Sequence, residues 1–254
     1  MAKRVDEILR RISVPQPRAG APGRTEEVCP KCKGAGYICL DVPLGHPSFG
    51  RAFECECLVA KREEQAFSEL QELSNLRDFR DRTFATFNAK AAGVAEAYRV
   101  CREYAEDPRG WLVLVGPVGC GKTHLAVAIA ICCLEHGSRT LFVNVPELLD
   151  HLRSTYAPNS SVSYDERFEE VRAAELLILD DLGTESGTEW AKEKIYQIFN
   201  RRYNTEAPTV VTMNPREYNR LDERILSRMK DAAISRIVEM REAGDYRQRK
   251  ARRR

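Results

Sequence analysis

"GPVGCGKTHL", residues Gly116–Leu125, decides how the rest of the chain is read. Its first eight residues fit G-x-x-x-x-G-K-[ST], a loop whose backbone N–H groups converge on phosphate oxygens at the positive end of the following helix. Gly116, Gly119 and Gly121 permit the close approach and unusual dihedrals such a cradle needs. Lys122 would reach the β and γ phosphates, and the Thr123 hydroxyl would bind Mg²⁺. Pro117, Val118 and Cys120 fill the variable positions, and His124 opens the helix behind the loop.

The context supports this reading. "WLVLV" from Trp111 is a short apolar strand leading into the loop, and a helix from Thr123 runs to a stop signal at Gly137. Further strand candidates are "TLFVNV" at Thr140, "LLILD" at Leu176 and "PTVVTM" at Pro208, with a weaker fifth, "ISRIVEM", at Ile234. Apolar strands alternating with helices predict an α/β fold with a parallel sheet covered on both faces.

"LLILDDLG", Leu176–Gly183, brings two carboxylates out at the C-terminal end of a buried strand, where open α/β sheets place ligands. Asp180 would hold Mg²⁺, and Asp181 would act as general base on the attacking water. "PTVVTMN" ends at Asn214, whose amide would orient that water; taken alone, it is an ordinary turn residue.

"CPKCKGAGYICLDVPLGHPSFGRAFECEC" holds five of the chain's nine cysteines. A C-x-x-C turn closed by small residues, followed by a second pair, suits a tetrahedral zinc site. Cys29, Cys32, Cys55 and Cys57 are the favoured ligands, with Cys39 spare and His46 a substitute. A redox C-x-x-C competes, although it normally sits beside a βαβ pattern absent here.

The 254 residues are 43% hydrophobic and 31% charged, with a formal net charge of +2. That suits a globular chain, and any grip on nucleic acid must come from local patches such as the tail "RQRKARRR". No apolar run would span a bilayer, and the N-terminus lacks a secretory core. Clustered cysteines without a secretory signal point to a reducing cytoplasm. The organisation expected is a helix and linker over 1–28, a zinc module over 29–57, a linker helix over 58–81, and an ATPase domain over 82–254 with a basic tail.

The ordered set "RTFATFN", "GWLVLVGPVGCGKTHLAVAIA", "LFVNVPELLDHLRSTY", "LLILDDLGTESGTEWAKEKIYQIFNRRYN", "PTVVTMN" and "LDERILSRM" resembles the AAA+ ATPases, within them the DnaC/DnaI-type helicase loaders and IstB-like transposition ATPases. The likeness covers roughly Arg82 to Arg247. It implies a 5-1-4-3-2 sheet with Asn214 on the strand between those carrying Lys122 and Asp181, and "RTFATFN" bordering the adenine; with a short tail after the fifth strand, the helical lid of the wider superfamily is expected to be missing or vestigial. ATP would lie between subunits of a homo-oligomer formed on ATP and DNA, with Arg228 of "LDERILSRMKD" as the arginine reaching the neighbour's site. The competing reading of Arg228 is a solvated basic edge. "GDYRQR" resembles the loaders' C-terminal "YR", making Arg247 a candidate second sensor. Arg153 and Tyr156 of "VPELLDHLRSTY" match the DNA-contacting helix of the group, or form an ordinary amphipathic surface.

The resemblance implies an ATP-dependent loader that binds single-stranded DNA and delivers a replicative helicase held by the zinc module. The alternative is an IstB-like ATPase acting on duplex DNA for a transposase. A small-molecule kinase and a non-hydrolysing adaptor are the readings from other classes.

Overall fold

The structure is a computed structural model, and it describes residues 28–61, 68, 74, 76–154, 164–184 and 187–246. The expected N-terminal helix, half of the expected linker helix, Tyr156 and Arg247 lie outside those residues. The chain divides into a small unit within residues 13–69 and a larger one within residues 70–254.

In the small unit, the chain turns at Cys29–Cys32, where the Lys33 N–H donates to the Cys29 carbonyl (2.8 Å) and that of Ala35 to the Cys32 carbonyl (3.0 Å). Positive φ at Lys33 and Gly34 lets the turn close. An antiparallel hairpin follows, β1 (Tyr37–Cys39) with β2 (Ala52–Glu54), Ile38 opposite Phe53. The Cys55 N–H donates to the Gly36 carbonyl (2.8 Å), bringing the end of β2 back beside the first turn. Residues 56–61 are helical.

The larger unit is built on five parallel strands: β3 (Trp111–Val115), β4 (Thr140–Asn144), β5 (Leu176–Leu182), β6 (Thr209–Met213) and β7 (Ser235–Glu239). Their order is β4-β5-β6-β3-β7. Counted within this unit alone, that is the expected 5-1-4-3-2 order read from the other edge, and all four strand pairs are parallel. The interior strands β3 and β6 are buried at every position, as strands covered on both faces must be.

The helices are α1 (Ala95–Glu106), α2 (Lys122–Glu135), α3 (Val145–Ser154), α4 (Tyr164–Ala173), α5 (Glu189–Asn204), α6 (Pro215–Tyr218) and α7 (Glu223–Met229). Helix α2 is apolar all round, with Leu125 through Ile131 buried in a run, so it can only be a central core helix. It ends where the sequence signals: Gly137 has φ +85°, and the Ser138 N–H closes on the Cys133 carbonyl at 3.0 Å. Thr188 caps α5 by accepting from the Ala191 N–H (3.3 Å), and Asp222 caps α7 by accepting from the Arg224 N–H (2.8 Å).

One buried cation ties the end of α4 to the start of β6. Arg202 on α5 is 0% exposed. Its Nε donates to Thr209 Oγ1 (2.7 Å), Nη1 to the carbonyls of Arg172 (3.1 Å) and Ala174 (2.8 Å), and Nη2 to that of Pro208 (2.5 Å). Burial pulls its pKa down to about 10, still charged at neutral pH. Replacing it strands several buried acceptors, each costing about 1–3 kcal/mol. Arg202→Ala should therefore lower the unfolding free energy by at least about 3 kcal/mol. A urea titration followed by Trp fluorescence should show this as a lowered midpoint; an unchanged midpoint contradicts it.

Candidate nucleotide site and cysteine cluster

The turn from β3 into α2 places two glycines in left-handed backbone, Gly119 at φ +77° and Gly121 at φ +105°. A Cβ on Gly121 would meet the Phe87 ring at 2.8 Å, and one on Gly119 would meet the Asp245 carboxylate at 2.1 Å. The loop is therefore packed from one side by the segment before α1 and from the other by the chain after β7. The backbone N–H of Tyr246 closes the second contact by donating to the Gly119 carbonyl at 3.1 Å.

Lys122 is only 5% exposed. Its Nζ donates to the carbonyls of Gly116 (2.8 Å) and Pro117 (3.0 Å) and to Asn214 Oδ1 (3.1 Å). The ammonium thus arches back over the loop and meets the amide at the end of β6. Adjacency of β3 and β6 brings Lys122 and Asn214 together across 92 residues of sequence.

The two carboxylates lie at the C-terminal end of the strand, as expected, but where the sequence reading stops the strand at Asp180, β5 runs on through Asp181 to Leu182. A bulge makes this compatible with function: Leu179 pairs with Val211 and Leu182 with Met213, so β5 carries one extra residue between them. The extra residue re-aims the strand end, as bulges do beside active sites. Asp180 is 4% exposed, and Asp181 takes φ +56°, a left-handed backbone unusual for a residue with a side chain. Burial, reinforced by the charge of Asp181, pushes Asp180 up to about 6. Hydrogen bonds from Thr212 and Thr123 and the ammonium of Lys122 oppose that rise.

Lys122, Asp181 and Asn214 open on one cavity of about 390 Å³. Val118 through His124, Asp181 and Asn214 line it, together with Arg82, Thr86, Phe87 and Asn88 of "RTFATFN". His124 ties the two segments: its Nε2 is 3.0 Å from the Thr83 carbonyl, and its ring stands edge-on to Phe87. Because a carbonyl only accepts, Nε2 carries the proton, and burial holds the ring below its usual pKa and neutral. Sequence reading missed three contributors to this cleft. Thr184, Tyr246 and Arg82 line it, each quoted in the sequence only as part of a longer segment and given no role of its own. Cys120 contributes to the cavity wall, but it is 3% exposed and its Sγ lies 4.0 Å from Met240 Sδ.

Arg228 lies outside the cavity wall. It is half-buried on α5: Nη2 donates to Asn200 Oδ1 (2.6 Å) and Tyr196 Oη (3.4 Å), and Nη1 to the Arg224 carbonyl (2.8 Å). Its guanidinium also lies 5.2 Å from the Tyr196 ring centre and 5.4 Å from that of Tyr203. Tyr196, Asn200 and Tyr203 share one face of α5 at helical spacing. Arg228 is therefore a docked side chain, neither a solvated edge nor part of the wall of this cavity. On α3, Arg153 stacks over the Trp190 ring at 5.0 Å.

In the small unit, the sulfurs of Cys29, Cys32, Cys55 and Cys57 all lie within 4.8 Å of one another. Cys29 and Cys55 are 3.8 Å apart, Cys32 and Cys57 3.3 Å. A tetrahedron of thiolates around Zn²⁺ has S···S edges of about 3.8 Å, given Zn–S bonds of about 2.3 Å, so the set fits that ion. The C-x-C spacing works because Cys55 ends the hairpin and Cys57 sits on the first helical turn. A hydrogen bond from Cys57 draws the Cys32 thiol down to about 6, and the same contact pushes Cys57 up to about 12. Cys39 is exposed and outside the cluster. His46 accepts the Ser48 N–H at 3.1 Å, also away from it.

Residues 55–248 match the family model described as IstB-like ATP binding protein. The chain belongs to that family. Its cleft accordingly has the parts of an AAA+ nucleotide site. The replicative helicase loader DnaC of Escherichia coli K12 is 28% identical over 154 residues, 58% of this chain and 62% of that protein. The chain thus spans somewhat less than two thirds of that relative's length. Among solved structures, a crystal structure of the DnaC helicase loader superposes with a TM-score of 0.55 at 25% identity, covering 63% of this chain and 96% of that one. The crystal structure of DnaI shares the fold with a TM-score of 0.51 at 24% identity, covering 62% of this chain and 87% of that one. No helix among the described residues is long and apolar enough to cross a membrane.

Proposed function

We propose that the chain is a Mg²⁺-dependent ATPase that loads a replicative helicase onto single-stranded DNA in the cytoplasm. The observation that carries the ATPase reading is one cleft lined by a buried Lys122, Asp181 and Asn214, with Asp180 buried next to Asp181 on β5. The backbone of Gly116–His124 cradles the phosphates, and Lys122 meets the β and γ oxygens. Thr123 and Asp180 are the hydroxyl and carboxylate that would hold Mg²⁺, which neutralises charge on the transferred phosphoryl group. Asp181 takes the proton of the attacking water, and Asn214 orients that water. Arg228 serves the site of a neighbouring subunit in a homo-oligomer, and Arg247 is a second sensor. Arg153 and Tyr156 meet DNA.

The helicase partner is supported by the DnaC relatives and by the cysteine cluster preceding the ATPase unit. Cys29, Cys32, Cys55 and Cys57 hold one Zn²⁺ there, because a segment this short needs a staple to keep its shape. The IstB-like match keeps a second reading in view, an ATPase that serves a transposase on duplex DNA.

The test is capture of a purified hexameric replicative helicase by the purified chain. Metal analysis should find about one Zn²⁺ per chain. Chelation at high affinity should abolish capture while leaving basal ATPase activity within about twofold, since the metal organises only the small unit. Absence of zinc removes the metal reading. Failure to capture helicase, with ATP-dependent binding of duplex DNA instead, favours the transposition reading.

A further inference from the structure

Resting on the roles proposed above for Asp180 and Asp181, we infer that Thr212 is a positioning residue for ATP hydrolysis, its single hydroxyl setting both carboxylates. Thr212 is the fourth residue of β6, opposite the bulge in β5, and is 0% exposed. Its Oγ1 donates to Asp180 Oδ1 at 2.6 Å and accepts the backbone N–H of Asp181 at 3.0 Å. A hydroxyl has one proton to give, and here it is committed to Asp180.

The bulge makes this hydroxyl necessary. One extra residue in β5 takes the Asp181 N–H out of the regular ladder with β6. Asp181 also sits at φ +56°, where L-residues are strained. Thr212 Oγ1 stands in for the missing ladder acceptor and holds that backbone in place, while Thr184 Oγ1 donates to the Asp181 carbonyl at 2.7 Å from the other side. The same oxygen stops the Asp180 carboxylate from rotating. One side chain therefore sets both the metal-facing carboxylate and the water-facing one.

The residue type fits the task. A β-branched side chain has a stiff χ1, so the hydroxyl points one way. Thr212 and Asn214 also alternate onto one side of the strand end, so the buried hydroxyl sits behind the Asn214 amide that Lys122 bonds. Groups that orient metal-binding carboxylates typically contribute a factor of about 10–100 in metal affinity or activity.

The experiment compares full-length Thr212→Val, Thr212→Ser and Asp180→Asn with the unaltered chain. Binding of a fluorescent ATP analogue and single-turnover hydrolysis are both followed across a Mg²⁺ titration, with thermal melts alongside. Valine keeps the shape and removes the hydroxyl; serine keeps the hydroxyl. Thr212→Val should bind the metal-free analogue within about twofold of the unaltered chain. Its Mg²⁺-dependent gain in affinity should shift to roughly tenfold higher metal, and hydrolysis at saturating Mg²⁺ should fall about 10–100-fold. Thr212→Ser should recover most of both. A Thr212→Val chain with unaltered Mg²⁺ dependence and rate overturns the inference, and so do valine and serine variants impaired alike with lowered melting temperatures. If Asp180→Asn is impaired while Thr212→Val is not, only this inference falls. If Asp180→Asn keeps the unaltered Mg²⁺ requirement, the reading of Asp180 falls and takes the inference with it.

Discussion

Asp181→Asn is expected to bind ATP within about twofold of the unaltered chain while hydrolysing it at least about a hundredfold more slowly. Lys122→Ala is expected to lose binding itself. The two effects separate because the two side chains do different work at one cleft. Lys122 is buried under the loop and bonded to the carbonyls of Gly116 and Pro117, so its ammonium is already placed where phosphate oxygens would compete for it. Charge-assisted hydrogen bonds of this kind contribute about 1.5–3 kcal/mol each. Losing two weakens binding by roughly a hundredfold or more. Asp181 borders the same cavity, but an amide there keeps size and backbone contacts and removes only the base. Positioned bases contribute about 10²–10⁴ in rate. Binding of a fluorescent nucleotide and phosphate release under single turnover are the two measurements. Normal turnover in Asp181→Asn would remove that residue from the proton transfer, and tight binding by Lys122→Ala would remove the phosphate loop from its role.

Arg228→Ala should lower assembly-dependent ATP turnover by about 10³ to 10⁵, the factor an arginine contributes to the transition state of other phosphate-loop enzymes. Binding of ATP by the single subunit should be nearly unchanged, because Arg228 is absent from the cavity wall and docked on Asn200 and Tyr196. Arg82 is the cation within that wall besides Lys122 among the described residues, so Arg82→Ala is the control. If Arg82 supplies the charge in cis, its loss and not that of Arg228 removes turnover. Mixing decides between neighbours. Arg228→Ala combined with Lys122→Ala can form interfaces that join an intact phosphate loop to an intact arginine, so activity should reappear at intermediate ratios, measured at fixed total protein with single-stranded DNA present. A flat line at the level of the two inactive variants means Arg228 does not act across subunits. Full activity of Arg228→Ala alone would leave it as a tether between α7 and α5.

Much of the architecture was legible in the order of residues because local physics determines it. Five short apolar runs separated by helical stretches leave few arrangements other than a covered parallel sheet. The glycines at 119 and 121 specify a loop that only they can form, and both do take positive φ. The ligand-like spacing of the cysteines was visible too, because a C-x-x-C turn is a local structure.

Other features depended on distant chain segments meeting, which spacing alone does not encode. The bulge in β5 arises from pairing with β6: from Leu176 onward the sequence shows only apolar residues followed by two acids, with nothing to say that the strand continues to Leu182. Thr212 looks like any β-branched strand residue until it lies opposite that bulge with its hydroxyl between Asp180 and Asp181. Arg228 reads as a surface charge until α7 packs against the tyrosines of α5. Arg202 is another case, a cation whose burial is possible only because carbonyls from the end of α4 and from the turn before β6 converge on it. The sequence by itself determined which elements form and which chemistry the phosphate loop supports, since those rest on periodicity, turn geometry and short-range hydrogen bonding. Only the tertiary structure decided which polar groups share a cleft and which are held apart from it, because burial and long-range pairing set the partner, orientation and charge state of each one.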